Sequence, residues 1–146
     1  MKKRHYLIAV IDGVLHSILF YAVGFISIIL FRAVTSISIT FLFSCLIALV
    51  FSCLFFRHYI KMKKHQSIIC EAISIILFFC STTLIIILLI SLPTSNAFAL
   101  PFMSDADGLL LIVTGGGFIA VFLLLRILSI LFFTIQIFRE RIQKMH

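Results

Sequence analysis

Four long apolar stretches, separated by short polar ones, make up most of the chain. A helix that crosses a bilayer needs about 20 consecutive, mostly apolar residues, and each stretch meets that length. The first runs from Tyr6 to Leu30 and is interrupted by Asp12 and His16. The second runs from Ser36 to Phe56, after the short turn FRAVTS. The third runs from Ile68 to Leu92, and Pro93 and Pro101 in SLPTSNAFALPF stop it, since proline cannot continue a helix. The fourth starts near Asp105, is apolar from Leu109, and reaches Phe138. Ser104 opens it with the sequence SDAD, which fits a capping box with acids at the positive end of the helix dipole. The pattern predicts an all-α integral membrane protein, a four-transmembrane-helix bundle with residues 1–146 as a single membrane domain.

The fourth stretch is long for its task. Residues 109–138 would span about 45 Å as a helix, against a hydrocarbon core of about 30 Å. A straight fit needs a tilt of about 48°, beyond the usual upper range of about 40°. The sequence therefore predicts a bend at Thr114–Gly117, where three glycines loosen the helix. The alternative is a span that ends near Arg126 and continues along the cytosolic interface.

Composition agrees with the pattern: 63% of residues are hydrophobic and 12% charged, whereas soluble domains are nearer half and a quarter. The length allows one compact unit and no second domain. A net charge of +7 would suggest nucleic acid in a soluble protein. Here the basic residues sit in short patches between apolar runs, so no nucleic-acid partner is expected. Lys2, Lys3 and Arg4 precede the first span, Arg57, Lys61, Lys63 and Lys64 separate the second from the third, and Arg139, Arg141 and Lys144 follow the fourth. Four crossings put all three patches on one side. Basic loops stay cytoplasmic, so both termini and the middle loop are expected in the cytosol, facing away from Arg32, Asp105 and Asp107. The cluster RHYIKMKKH should also attract anionic headgroups, at about 1 kcal/mol per basic residue near the surface, through Arg57, Lys61, Lys63 and Lys64.

Two resemblances to processing signals change little. MKKRHYLIAV begins like a signal peptide, but Asp12 breaks its apolar region and no small-residue cleavage site follows. NAFA resembles a cleavage site, yet the apolar run before it is too long for a signal. Retained helices are expected in both places. Cys45, Cys53, Cys70 and Cys80 lack paired metal or redox spacing. They read as small hydrophobes, and no disulfide is expected.

Ionisable residues inside apolar spans are costly and mark function by default. Asp12 and His16 are four apart and share a helix face, and Arg126 enters from the same side of the membrane. Gly13, Ser17, Gly24 and Ser27 form a small-residue stripe on the first span, and Gly115, Phe122, Arg126 and Ser129 form one on the fourth. Such stripes let helices approach closely. They are expected to face each other, with Gly116 and Gly117 beside the contact and Asp12 or His16 meeting Arg126. The meeting has two readings. It is a buried ion pair that fixes register, or a proton or substrate site built from an acid, an imidazole and a guanidinium. Glu71 reads as an interfacial partner for Lys63 and Lys64. His58 and His65 have no carboxylate or cysteine to complete a metal site, and no cofactor is expected.

Catalysis has little support, because none of the hydroxyls in the spans has a paired base to activate it. In membranes such hydroxyls bond back to their own helix or across to a neighbour. TGGGF matches neither a phosphate loop nor a dinucleotide fingerprint. The functional expectation is a small non-enzymatic inner-membrane protein that packs, as an accessory or immunity-type protective partner, against another membrane component. The competing expectation is a small oligomeric transporter or lipid-linked-substrate flippase, with Asp12, His16 and Arg126 along its path.

Overall fold

A computed structural model describes residues 2–30, 37–91 and 105–145. It contains four α-helices: α1 (Lys2–Leu30), α2 (Ile37–Tyr59), α3 (Lys64–Ser91) and α4 (Asp105–Gln143). All four are long and apolar enough to cross a membrane. Arg32, Pro93, NAFA, Pro101 and the Ser104 cap lie outside the described residues, as do the side chains of Asp105 and Asp107. The helices reach further at their basic ends than the apolar runs indicated. α1 begins at Lys2, α2 runs on to Tyr59, α3 begins at Lys64 and α4 runs on to Gln143.

The ends marked by basic residues lie together. Ala9 of α1, Tyr59 of α2, Met62 of the turn, Cys70 of α3 and Phe133 of α4 form one buried cluster. The Cys70 thiol donates to the His5 carbonyl at 3.8 Å, and Lys64 pairs with Glu140. The tight α2–α3 turn is fastened by Ser67, whose hydroxyl donates to the Tyr59 carbonyl at 2.7 Å and so satisfies a carbonyl freed at the helix end.

Each helix buries one face at a spacing of three and four residues. On α3 that face is Ser67, Cys70, Glu71, Ser74, Phe78 and Thr82, and on α2 it is Thr40, Ser44, Ala48, Ser52 and Tyr59. The inward faces are rich in small and polar residues. The outward faces carry Leu, Ile and Phe, with Leu42, Ile112 and Ile135 each 65% exposed or more. This reverses the arrangement of a water-soluble bundle, whose apolar stripe faces the core. Ser44, Thr114 and Ser129 donate to carbonyls one turn back in their own helices, and the Thr82 hydroxyl donates across to Ser17 at 3.3 Å. These bonds follow the two modes expected of hydroxyls in such helices.

Neighbour choice departs from the expected one. α1 packs mainly on α3 and α2 mainly on α4, while α1 and α2, adjacent in sequence, touch little. The small-residue stripe of α1 is therefore divided between two partners. Gly13 lies against α3, where an added Cβ would stand 2.6 Å from the Ser74 carbonyl oxygen and 2.9 Å from Leu77 Cβ. Ser17 also meets α3, through Thr82. Gly24 faces α4, with Leu111 3.0 Å from the position of a Cβ.

α4 is one α-helix from Asp105 to Gln143, 39 residues long, and its helical structure continues through Thr114–Gly117 and past Arg126. Its glycines admit aromatic rings: Phe20 of α1 sits on Gly115 and Phe41 of α2 on Gly117. Gly116 points outward with nothing within 4 Å of a Cβ, contrary to its expected place beside the contact. Successive helical residues point about 100° apart, so three consecutive glycines cannot all serve one neighbour.

Candidate functional site: a buried polar cluster

Every helix contributes to one polar cluster inside the bundle. α1 supplies Asp12 and His16, α2 supplies Ser52 and Tyr59, α3 supplies Glu71 and Ser74, and α4 supplies Arg126. Asp12, His16, Tyr59, Glu71 and Ser74 are fully buried, and Arg126 is 1% exposed. The predicted meeting of Asp12 with Arg126 is present, with guanidinium Nη2 donating to Asp12 Oδ1 at 2.5 Å. On its other arm Arg126 Nη1 donates to Glu71 Oε2 at 2.8 Å. Arg126 therefore bridges two carboxylates, and its planar fork suits that role better than an ammonium would.

Asp12 is the hub. Its Oδ1 receives Arg126 and lies 2.9 Å from His16 Nδ1. Its Oδ2 accepts hydrogen bonds from Tyr59 at 2.7 Å and Ser74 at 2.9 Å. An ionised carboxylate offers about four acceptor positions, and all four are used. His16 Nδ1 also lies 2.9 Å from the Asp12 carbonyl oxygen. Both neighbours are acceptors, so Nδ1 carries the hydrogen. His16 Nε2 faces Ser52 Oγ at 3.3 Å.

Aromatic rings enclose this polar centre. Phe122 lies 4.6 Å and Phe55 5.9 Å from the His16 ring, centroid to centroid. The guanidinium carbon of Arg126 stands 5.1 Å from the Phe122 centroid and 5.8 Å from that of Tyr59. At those distances ring faces attract the cation. The place between the carboxylates, where a metal ion would sit, is filled by the guanidinium. Among the described residues no group of three or more His, Cys, Asp or Glu is arranged to hold a metal.

Glu71 is the main correction to the sequence reading. It does not pair with Lys63 or Lys64 at the surface but is fully buried against Arg126. α3 begins at Lys64, so Glu71 lies two turns inside, about 10 Å from the helix start. Lys64 pairs with Glu140 of α4 instead. A signal for Glu71 exists in the spacing of Ser67, Glu71 and Ser74, which places three polar residues on one helix face. Tyr59 and Ser52, seven apart on α2, give the same kind of signal.

The basic residues expected to contact anionic lipid lie at the end of the bundle that holds the α2–α3 turn. Arg57, Lys61 and Lys63 are exposed and Lys64 is partly covered. Lys63 and Lys64 line a groove of about 450 Å³ with His65, Ile137, Glu140 and Arg141. No known protein family, curated protein or solved structure matches the chain.

Proposed function

We propose that the chain is a non-enzymatic, four-span protein of a cell inner membrane, with both termini in the cytosol, that works by lateral contact with another membrane component. The role is accessory or protective, as in immunity-type proteins that neutralise an incoming pore-former. Insertion is supported by the inverted bundle, whose exposed faces are apolar and whose polar residues point inward. Orientation is supported by the basic residues at the N-termini of α1 and α3 as well as the C-termini of α2 and α4. The helix dipole favours cations only at C-termini, so it accounts for half of this pattern. A cytosolic side accounts for all of it. The groove lysines and their neighbours Arg57 and Lys61 then lie at the level of anionic headgroups.

One observation carries the functional reading: Asp12, His16, Glu71 and Arg126 are all at most 1% exposed and engaged with one another. The polar groups are used in holding four helices in one register, which leaves the outward apolar faces for contact with partners. A test replaces Ile18, Leu42, Ile76 or Ile112, one outward residue on each helix, with a photo-cross-linking amino acid in native membranes. Recovery of one unrelated membrane protein at stoichiometric yield is the expected result. Recovery of the chain alone, with substrate flux in reconstituted vesicles, would replace this reading with the oligomeric transporter.

A further inference from the structure

The buried cluster has an uneven charge balance. Asp12 and Glu71 supply two carboxylates, Arg126 supplies one cation, and His16 is the remaining group in direct contact that can take up a further proton. With both acids ionised and the imidazole neutral, the core would hold one uncompensated negative charge. Apolar surroundings do not tolerate such a charge, and a buried group takes up a proton instead. The cluster therefore has a place for one proton, and its hydrogen bonds distinguish among the three positions available.

Asp12 has no room for it. Each of its oxygens already receives two donors, so a hydrogen on either would displace one of them. His16 has its Nδ1 hydrogen directed at Asp12, and its Nε2 faces a hydroxyl that can itself donate. The neutral ring thus has a partner on both sides, and Phe55, Phe118 and Phe122 surround it. Glu71 differs from both. Its Oε2 accepts from Arg126, while its Oε1, although fully buried, has no hydrogen-bond partner among the described residues. The α4 neighbour Ser129 lies beside the carboxyl with its own hydrogen already given to the Leu125 carbonyl at 2.9 Å. Cys70 of α3 and Tyr59 of α2 complete the titratable surroundings, and Tyr59 directs its hydrogen at Asp12.

We infer that Glu71 is a proton-binding site in the interior of the bundle, with the proton on Oε1 and Asp12 as the permanent counter-ion of Arg126. The two acids that share one guanidinium thus have separate tasks. Asp12 anchors the charge, and Glu71 exchanges a proton from the basic end of the bundle, two helical turns from the start of α3. Release of that proton adds a negative charge between α3 and α4, so the packing of those two helices senses protonation. This holds whichever partner the outer faces bind.

The chain has two glutamates, Glu71 and Glu140, which makes the test direct. Full-length protein labelled with ¹³C at glutamate Cδ and reconstituted in lipid gives two side-chain carboxyl signals by solid-state NMR. Glu140 is 53% exposed, and the surface substitution Glu140→Gln removes its signal and assigns both. The expected spectrum at pH 7 has Glu140 at the carboxylate position and Glu71 at the neutral-acid position. A Glu71 signal at the carboxylate position would overturn the inference. So would an imidazolium spectrum for His16 in ¹⁵N-histidine-labelled protein, because the proton would then sit on α1.

Discussion

Arg126 would be untenable in an apolar span on its own, and the residues around it show how it is accommodated. Two carboxylates and two ring faces receive the guanidinium, while Tyr59 and Ser74 complete the shell of the acid that holds it most closely. Removing one partner of such a pair leaves a bare buried charge, at a cost of about 3–5 kcal/mol. Asp12→Asn is expected to show that loss in equilibrium unfolding in bicelles. Glu71→Gln should lose less than about 1 kcal/mol, since a neutral amide resembles a protonated acid and can still accept from Arg126. Equal losses at the two positions would contradict the division of roles between them. The Asp12–Arg126 contact was legible in the sequence because both residues interrupt apolar runs entered from the same basic side, and the long stem of the deeper Arg126 can reach back towards Asp12. Glu71 was not, because two nearby lysines, Lys63 and Lys64, offered it a partner and the apolar run gave no sign that α3 starts as early as Lys64. Ser74 and Tyr59 are polar residues of ordinary kinds, and only the assembled bundle shows that both aim at Asp12.

Between helices, the glycines decide how closely backbones approach. Gly13 meets the α3 backbone, so Gly13→Ala must push α1 and α3 apart, at about 1–3 kcal/mol for an overpacked contact. Gly116→Ala fills open space and improves helix propensity by about 1 kcal/mol. Thermal melts of the two variants should therefore move in opposite directions. A fall for Gly116→Ala would mean that the outward face of α4 is occupied in the folded state. The existence of four helices was plain from runs of apolar residues, because length and hydropathy suffice to define a span. Neighbour choice was not, because a small-residue stripe says that some helix comes close without saying which. The expected pairing of the α1 and α4 stripes held at Gly24, at Gly115 and at Arg126, but gave way to α3 at Gly13 and Ser17.

For the molecule as a whole, polar residues face inward and hold the helices in register, while leucine, isoleucine and phenylalanine face outward. The grouping of ten lysines and arginines into three patches was legible, and the structure brings those patches to one end of the bundle. The process the protein serves is not encoded in that pattern, since lateral recognition between apolar faces depends on shape rather than on distinctive residue types. In the proposed function the charges are architectural and the outer faces carry the contact with a partner. A triple variant, Asp12→Asn with Glu71→Gln and Arg126→Gln, removes every charge of the cluster together, and replacing a buried ionic group as a unit is often close to neutral for stability. The most direct measurement is the cross-linking pattern of this variant from the outward position Ile112 in native membranes, compared with the parent chain. The expected result is the same cross-linked partner at the same yield. A triple variant that melts like the parent but no longer captures that partner would place the function in the charges and not in the outer faces.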